Sequence, residues 1–110
     1  MQLPSVVVFG EALTDLVQPT PGRWQGYPGG APWNVARAMS RLGVPTAFAG
    51  SISTDSLGDE LFKQSEAAGL DMRFLQRIDV DPLVAIVPSS HPPRSLFAGA
   101  RDLPLAVQIP

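Results

Sequence analysis

Three short clusters of polar residues and glycines in the 110-residue sequence have the composition of ligand-binding segments. The first surrounds Asp15, which follows an apolar run from Ser5 to Gly10. A carboxylate can accept hydrogen bonds from two neighbouring hydroxyl groups, and its charge makes such bonds shorter and stronger. A carboxylate past the C-terminal end of a buried strand lies where open α/β sheets bind ligands. Taken alone, Asp15 is more simply interpreted as a loop residue that caps a turn.

The second cluster is the segment Gly-Gly-Ala-Pro-Trp-Asn at residues 29–34. Gly29 and Gly30 would let a ligand approach the backbone closely, and the first N–H groups of a helix starting here would be free to donate to it. The Asn34 carboxamide offers both a donor and an acceptor, which suits a sugar hydroxyl. The alternative is a turn before a helix, with Asn34 as a cap. The sequence contains neither of the glycine-rich phosphate-binding fingerprints of nucleotide-binding folds.

The third cluster, residues 50–58, leads from a predicted strand into a predicted helix. Polar side chains at such a junction more often cap the helix than bind a ligand. Thr54 or Asp55 is therefore predicted to cap a helix over residues 56–68.

The elements that position these clusters follow from the apolar pattern. Strands are predicted at residues 5–10, 46–49, 70–77 and 83–87, with residues 11–17 continuing the first strand into a turn. Helices are predicted after Gly30 and over residues 56–68, ended by Gly43 and Gly69. The strand–helix–strand order predicts an α/β fold with a parallel sheet.

Two finer expectations concern helix packing and chain breaks. The spacing of the apolar residues Val35, Ala38, Met39 and Leu42 predicts the buried stripe of the first helix, with arginines on its other side. The Pro-Thr-Pro-Gly segment at residues 19–22 is predicted to break any regular element.

Composition excludes several classes of protein. The net charge is −2, which does not suit a nucleic-acid binder. The absence of cysteine excludes disulfides, and one histidine without cysteine argues against a zinc site. No apolar run approaches the length of a membrane span, and the N-terminus lacks a signal-peptide pattern, so we expect a cytoplasmic protein of one small domain with no membrane partner.

In order and spacing, the clusters resemble the N-terminal signature of the ribokinase/PfkB family of carbohydrate kinases. The segment at residues 29–36, followed by Leu42 and Gly43, is similar to that signature, and residues 10–15 are similar to the first strand of fructokinases. The resemblance implies the N-terminal part of a ribokinase-like three-layer fold, a parallel sheet with flanking helices, and a small β lid. It also implies which residues contact the sugar: Asp15, Gly29, Gly30 and Asn34. Apart from the resemblance, Trp24, Tyr27 and Trp33 could line a sugar pocket because aromatic faces pack well on sugar rings, although lid packing explains them as well. Of these three, only Trp33 is kept as a candidate, and a weaker one.

The resemblance also implies how the chain is divided. Residues 1–110 would form a partial ribokinase-like domain, with lid segments at about 17–28 and 72–98. Residues 94–97 are similar to a further lid strand, but residues 88–110 match the family poorly, and half of the 12 prolines fall after residue 81. We therefore expect a truncated, frameshifted or shortened reading of a longer gene. The lid strands could also pair two copies as a homodimer.

For an intact protein, the resemblance implies ATP-dependent phosphorylation of a sugar hydroxyl, with Mg²⁺ and fructose as the favoured sugar. The catalytic base of the family lies in a C-terminal motif that this sequence lacks, so no catalytic or metal-binding residue is assigned, and Asp102 is given no role. The ATP site is likewise expected to be absent, and the chain alone inactive. The alternatives are an inert fragment, a non-catalytic sugar-binding or partner-binding α/β module, or a kinase for ribose, 2-keto-3-deoxygluconate or a nucleoside.

Overall fold

The computed structural model describes residues 3–88 and the backbone of residues 96–98. Its elements, in chain order, are β1 (Val6–Phe9), β2 (Leu13–Thr20), β3 (Arg23–Gly29), α1 (Ala31–Arg41), β4 (Thr46–Ser53), α2 (Ser56–Ala67), β5 (Leu75–Ile78), β6 (Val84–Val87) and β7 (Leu96–Ala98). Neither helix in residues 3–88 is long and apolar enough to cross a membrane.

The strands form two sheets. One is a parallel sheet in the order β1-β4-β5. The other, here called the lid sheet, has the order β3-β2-β6-β7, in which only the central pair, β2 with β6, is parallel. The predicted α/β class, with a parallel sheet, flanking helices and a small β lid, is confirmed.

The segment predicted as one opening strand is two strands in different sheets. β1 ends at Phe9, and Gly10 takes a φ of 152° while its N–H donates to the Ala49 carbonyl oxygen at 3.2 Å. A Cβ at position 10 would lie 2.5 Å from the Pro32 side chain, so only glycine fits this crossing. As a result, Asp15 is a residue of the lid sheet rather than of a loop after β1.

The strands of the lid differ from the prediction at three places. The lid begins at Leu13, not near residue 17, and β5 belongs to the parallel sheet because its backbone pairs with β4. The expected break at residues 19–22 is also wrong in part, because β2 continues through Pro19 to Thr20. The β2–β3 register shifts between Val17 and Thr20, and such an irregularity tolerates a proline that cannot donate to the ladder. Of the further lid strand expected at residues 94–97, residues 96 and 97 lie in β7, and residues 94 and 95 lie outside the described residues.

The main core lies between the parallel sheet and the two helices. Trp33 and Ala36 of α1 meet Phe48 and Ile52 of β4, with Leu61 of α2. Every residue of β4 is buried, which is what a central parallel strand requires.

The predicted buried stripe of α1 is wrong. Val35 is 51% exposed and Leu42 is 83% exposed, whereas Trp33 is fully buried. The helix carries apolar residues on two faces, and burial of the large indole fixes which face meets the sheet. The guanidinium of Arg37 lies 4.5 Å from the centre of the Trp33 ring, so this arginine packs along the helix instead of pointing away from it.

Candidate functional site

Asp15 and Gly29 meet on adjacent strands of the lid sheet. The Asp15 carboxylate occupies the space that a Cβ at position 29 would fill, with its Oδ2 atom nearest. The two residues are diagonal neighbours on β2 and β3, since Asp15 pairs with Tyr27 and Leu13 pairs with Gly29. The absence of a side chain at position 29 is thus what gives the carboxylate its place.

Partial burial raises the pKa of Asp15 above its ordinary value of 3.8. Desolvation disfavours the charged form of a carboxyl group unless donors or cations compensate. Hydroxyl groups of a ligand are such donors. The carboxylate is therefore suited to accept hydrogen bonds from a hydroxyl-rich molecule.

Gly30 begins α1 in a backbone conformation that favours glycine. Its φ is 102°, and a Cβ there would lie 2.8 Å from the backbone oxygen of Glu11. No side chain caps the helix, and Pro32 occupies its first turn. The first N–H groups of α1, which lack intrahelical acceptors, are therefore left without a side-chain cap.

Asn34 lies one turn into α1, where its backbone N–H donates to the Gly30 carbonyl oxygen at 2.9 Å. Its side chain is exposed, and its Oδ1 accepts a long hydrogen bond of 3.4 Å from Arg37. A bond of this length is weak and easily exchanged for a ligand. The Asp15 carboxylate lies against Gly29, and the next residue, Gly30, is the N-cap of α1, so the carboxylate and the start of the helix are close together. Contact of Asn34 with the same ligand stays a prediction.

Trp33, the weaker candidate for sugar contact, does not lie at the surface near Asp15 and Gly29 but in the core. Its side chain has no exposed surface, and its indole N–H donates to the Ser65 hydroxyl at 2.8 Å. Ser65 in turn donates to the Leu61 carbonyl oxygen at 2.7 Å. The indole therefore joins the two helices inside the core and has no surface to offer a sugar.

The third cluster is structural, as predicted. The Asp55 Oδ1 atom accepts from the N–H groups of Leu57 and Gly58, both at 3.1 Å, and from the Ser53 hydroxyl at 2.7 Å. The Ser53 bond and the two backbone bonds lower the pKa of Asp55. Arg77 adds a bond to the Ser53 carbonyl oxygen and an ion pair with Asp59. These contacts attach the start of α2 to the ends of β4 and β5.

A cavity of about 440 Å³ lies at the opposite end of the parallel sheet, between the start of β4 and the loop after α2. Two of its lining hydroxyls are already bonded internally: Ser40 donates to the Ala68 carbonyl oxygen and Thr46 to that of Val44. Asp71 is paired with Arg73. This cavity lies at the N-terminal end of β4, whereas open α/β sheets usually bind ligands beyond the C-terminal ends of their strands.

Within residues 3–88, no three carboxylate, histidine or cysteine side chains come together in a way that could hold a metal ion.

Most of the chain is similar to a known family of proteins. The model of the pfkB family of carbohydrate kinases matches residues 3–87. The fructokinase of Escherichia coli is 36% identical over 72 residues, covering 66% of this chain and 24% of that protein. The aminoimidazole riboside kinase of Salmonella typhimurium is 30% identical over 112 residues, covering 90% and 35%.

Solved structures give the same result. The fructokinase of Xylella fastidiosa with bound ATP superimposes with a TM-score of 0.78 and 33% identity, covering 94% of this chain and 32% of that one. This chain thus spans between about a quarter and a third of the length of these relatives. On the extent of the family match and the shared fold, the chain belongs to the pfkB family of carbohydrate kinases.

Proposed function

We propose that this chain provides the sugar-binding part of an ATP-dependent carbohydrate kinase site, and that fructose is its preferred sugar. The observation that carries the proposal is the Asp15 carboxylate lying over Gly29, beside a helix start that no side chain caps. Two of the relatives compared above are fructokinases, and one is a riboside kinase, which makes a nucleoside the second choice of substrate.

In this proposal Asp15 accepts hydrogen bonds from two sugar hydroxyls, and Asn34 contacts a third. Gly29 and Gly30 let the sugar approach the backbone, where the uncapped N–H groups of α1 point toward it. These contacts fix the orientation of the hydroxyl to be phosphorylated, and phosphoryl transfer depends mainly on such positioning.

ATP, with Mg²⁺, would supply the phosphoryl group. Residues 3–88 hold no cluster of three carboxylate, histidine or cysteine side chains that could bind a metal ion, and no step of the transfer is assigned to them. We propose that the 110-residue chain binds the sugar without phosphorylating it. Incubation of the purified chain with D-fructose, ATP and Mg²⁺ should give no fructose phosphate, and formation of that product would disprove this part.

Sugar binding is tested by calorimetric titration of the chain with D-fructose, beside the Asp15→Asn variant. Loss of the charged acceptor should weaken binding at least tenfold, since a site built to hydrogen-bond a hydroxyl discriminates strongly. Asp81→Asn is the control, because Asp81 is an exposed acidic residue before β6. Equal affinity of the unsubstituted chain and Asp15→Asn would remove Asp15 from the site.

A homodimer through the lid sheet remains a second element of the proposal. β3 is an edge strand of that sheet, and five consecutive residues from Arg23 to Tyr27 are exposed. An exposed strand edge can pair with another strand. Light scattering of the purified chain would show the mass of a dimer, and a monomer at high concentration would rule out this contact.

A further inference from the structure

Tyr27 stands directly beside Asp15 in the lid sheet. The two residues are register partners across the antiparallel β2–β3 pair. Directly opposed residues of such a pair project to the same face of the sheet, with Cβ atoms about 5 Å apart. Any molecule that reaches the Asp15 carboxylate from this face therefore also reaches the side chain at position 27.

Two other close neighbours of Asp15 on this face are small, and the larger Leu13 and Leu83 are buried beneath it. Gly29 has no side chain, and Ala85, the register partner on β6, has only a methyl group and is buried. Tyr27 is the large exposed side chain directly opposite the carboxylate, and 47% of it is exposed. The face therefore presents a flat aromatic ring next to an anionic acceptor.

A sugar ring has matching chemistry, since one face carries C–H groups and its edge carries hydroxyls. Aromatic side chains bury a large apolar area with few rotatable bonds, and the tyrosine hydroxyl can remain in water. We propose that Tyr27 is a substrate-contacting residue whose ring packs against the C–H face of the sugar that Asp15 binds. This inference rests on the proposed function and adds to it a residue on which affinity depends.

Trp24 provides a matched control on the same strand. It is 48% exposed, nearly the same as Tyr27, but it lies three residues away on β3. Because successive side chains of a strand alternate between faces, an odd separation puts Trp24 on the face opposite Asp15. A general effect of losing an exposed aromatic ring from β3 would affect both positions alike.

The direct test uses the unsubstituted chain. Tyr27 is the one tyrosine in the sequence, so a chain with protonated tyrosine in an otherwise deuterated background carries aromatic protons at that position alone. Saturation of those protons in the presence of D-fructose should transfer to the C–H protons of the sugar. Absence of transfer from a chain that binds D-fructose would overturn the inference without a substitution.

Affinity measurements complete the test. Tyr27→Ala should weaken D-fructose binding about three- to tenfold, the size of an aromatic packing contact. Tyr27→Phe, which keeps the ring, should lose less affinity than Tyr27→Ala, and Trp24→Ala should bind as the unsubstituted chain does. If Tyr27→Ala binds normally while Asp15→Asn is weakened, this inference fails and the proposed function stands. If the unsubstituted chain binds no D-fructose, both fail. A Tyr27→Ala variant that changes only the oligomeric state would show a contact between copies and overturn the role in sugar binding.

Discussion

The Asp15 carboxylate fills the position that a side chain at Gly29 would take. The two residues belong to neighbouring strands, and the glycine pair that follows leads directly into α1. Backbone pairing of β2 with β3 thus places the Asp15 carboxylate beside Gly29, and chain continuity places the uncapped start of α1 next to both.

The Gly29→Ala variant should separate binding from stability. The added methyl would displace the end of a flexible Asp15 side chain and not the backbone, so the free energy of unfolding should change by less than about 1 kcal/mol. D-fructose affinity, however, should fall about as far as in Asp15→Asn. Urea denaturation and calorimetric titration measure the two quantities, and normal affinity in Gly29→Ala would contradict the assigned contact.

Gly30→Ala should behave differently from its neighbour. Its φ of 102° is unfavourable for alanine, and the new Cβ would meet the backbone oxygen of Glu11 at 2.8 Å. We expect a loss of about 1–3 kcal/mol in the free energy of unfolding. A Gly30→Ala variant as stable as Gly29→Ala in the same denaturation experiment would argue against the described start of α1.

The raised pKa of Asp15 predicts how affinity depends on pH. The carboxyl group takes up its proton above the ordinary value of 3.8, so D-fructose affinity should begin to fall above that pH on acidification. In the unliganded chain the folded state binds more protons than the unfolded state between 3.8 and the raised pKa. Stability from this group therefore decreases as pH rises through that interval.

The Asp15→Asn variant should lose this contribution to the pH dependence of stability. The Asp15 carboxyl carbon can be followed by NMR through an acid titration. A midpoint at or below 3.8 would contradict the effect assigned to burial.

Asp55 predicts the opposite sign of pH dependence. Its lowered pKa means that its contribution to stability is present above 3.8 and is lost as pH falls through the folded-state pKa. Asp55→Ala should cost about 1 kcal/mol through loss of the helix cap, while Asp55→Asn keeps a capping oxygen and should cost less. Urea denaturation at neutral pH ranks the two variants, and equal losses would argue against capping by the Asp55 side chain.

Trp33 should matter for stability and not for sugar binding. Ser65→Ala would leave the buried indole N–H without its acceptor, at a cost of about 1–3 kcal/mol. Since the indole has no exposed surface, the folded Ser65→Ala variant should bind D-fructose normally. A weakened affinity in that variant, with unfolding accounted for, would return Trp33 to the binding site.

The positions of helices and strands were predicted better from the sequence than the sheet to which each strand belongs. Glycines with positive φ at positions 43 and 69 end the helices as expected, because their backbone conformation is a local property. The division of the opening strand at Gly10 was missed, since it depends on contact with Pro32 in another element. β5 was assigned to the lid because an apolar run does not show which sheet it joins.

The same limit applied to the site. Asp15 and the glycine pair were found from residue type and order, whereas the burial of Trp33 depends on its bond to Ser65, 32 residues away. Tyr27 and Trp24 look equivalent in the sequence. Only the strand register shows that Tyr27 is the partner of Asp15.

The most direct test of the account is a crystal structure of the chain grown with D-fructose. The account predicts sugar hydroxyls within about 2.5–3.0 Å of the Asp15 carboxylate, with the sugar above Gly29 and at the start of α1. D-fructose bound only elsewhere, for example in the cavity between Pro45 and Asp71, would contradict it.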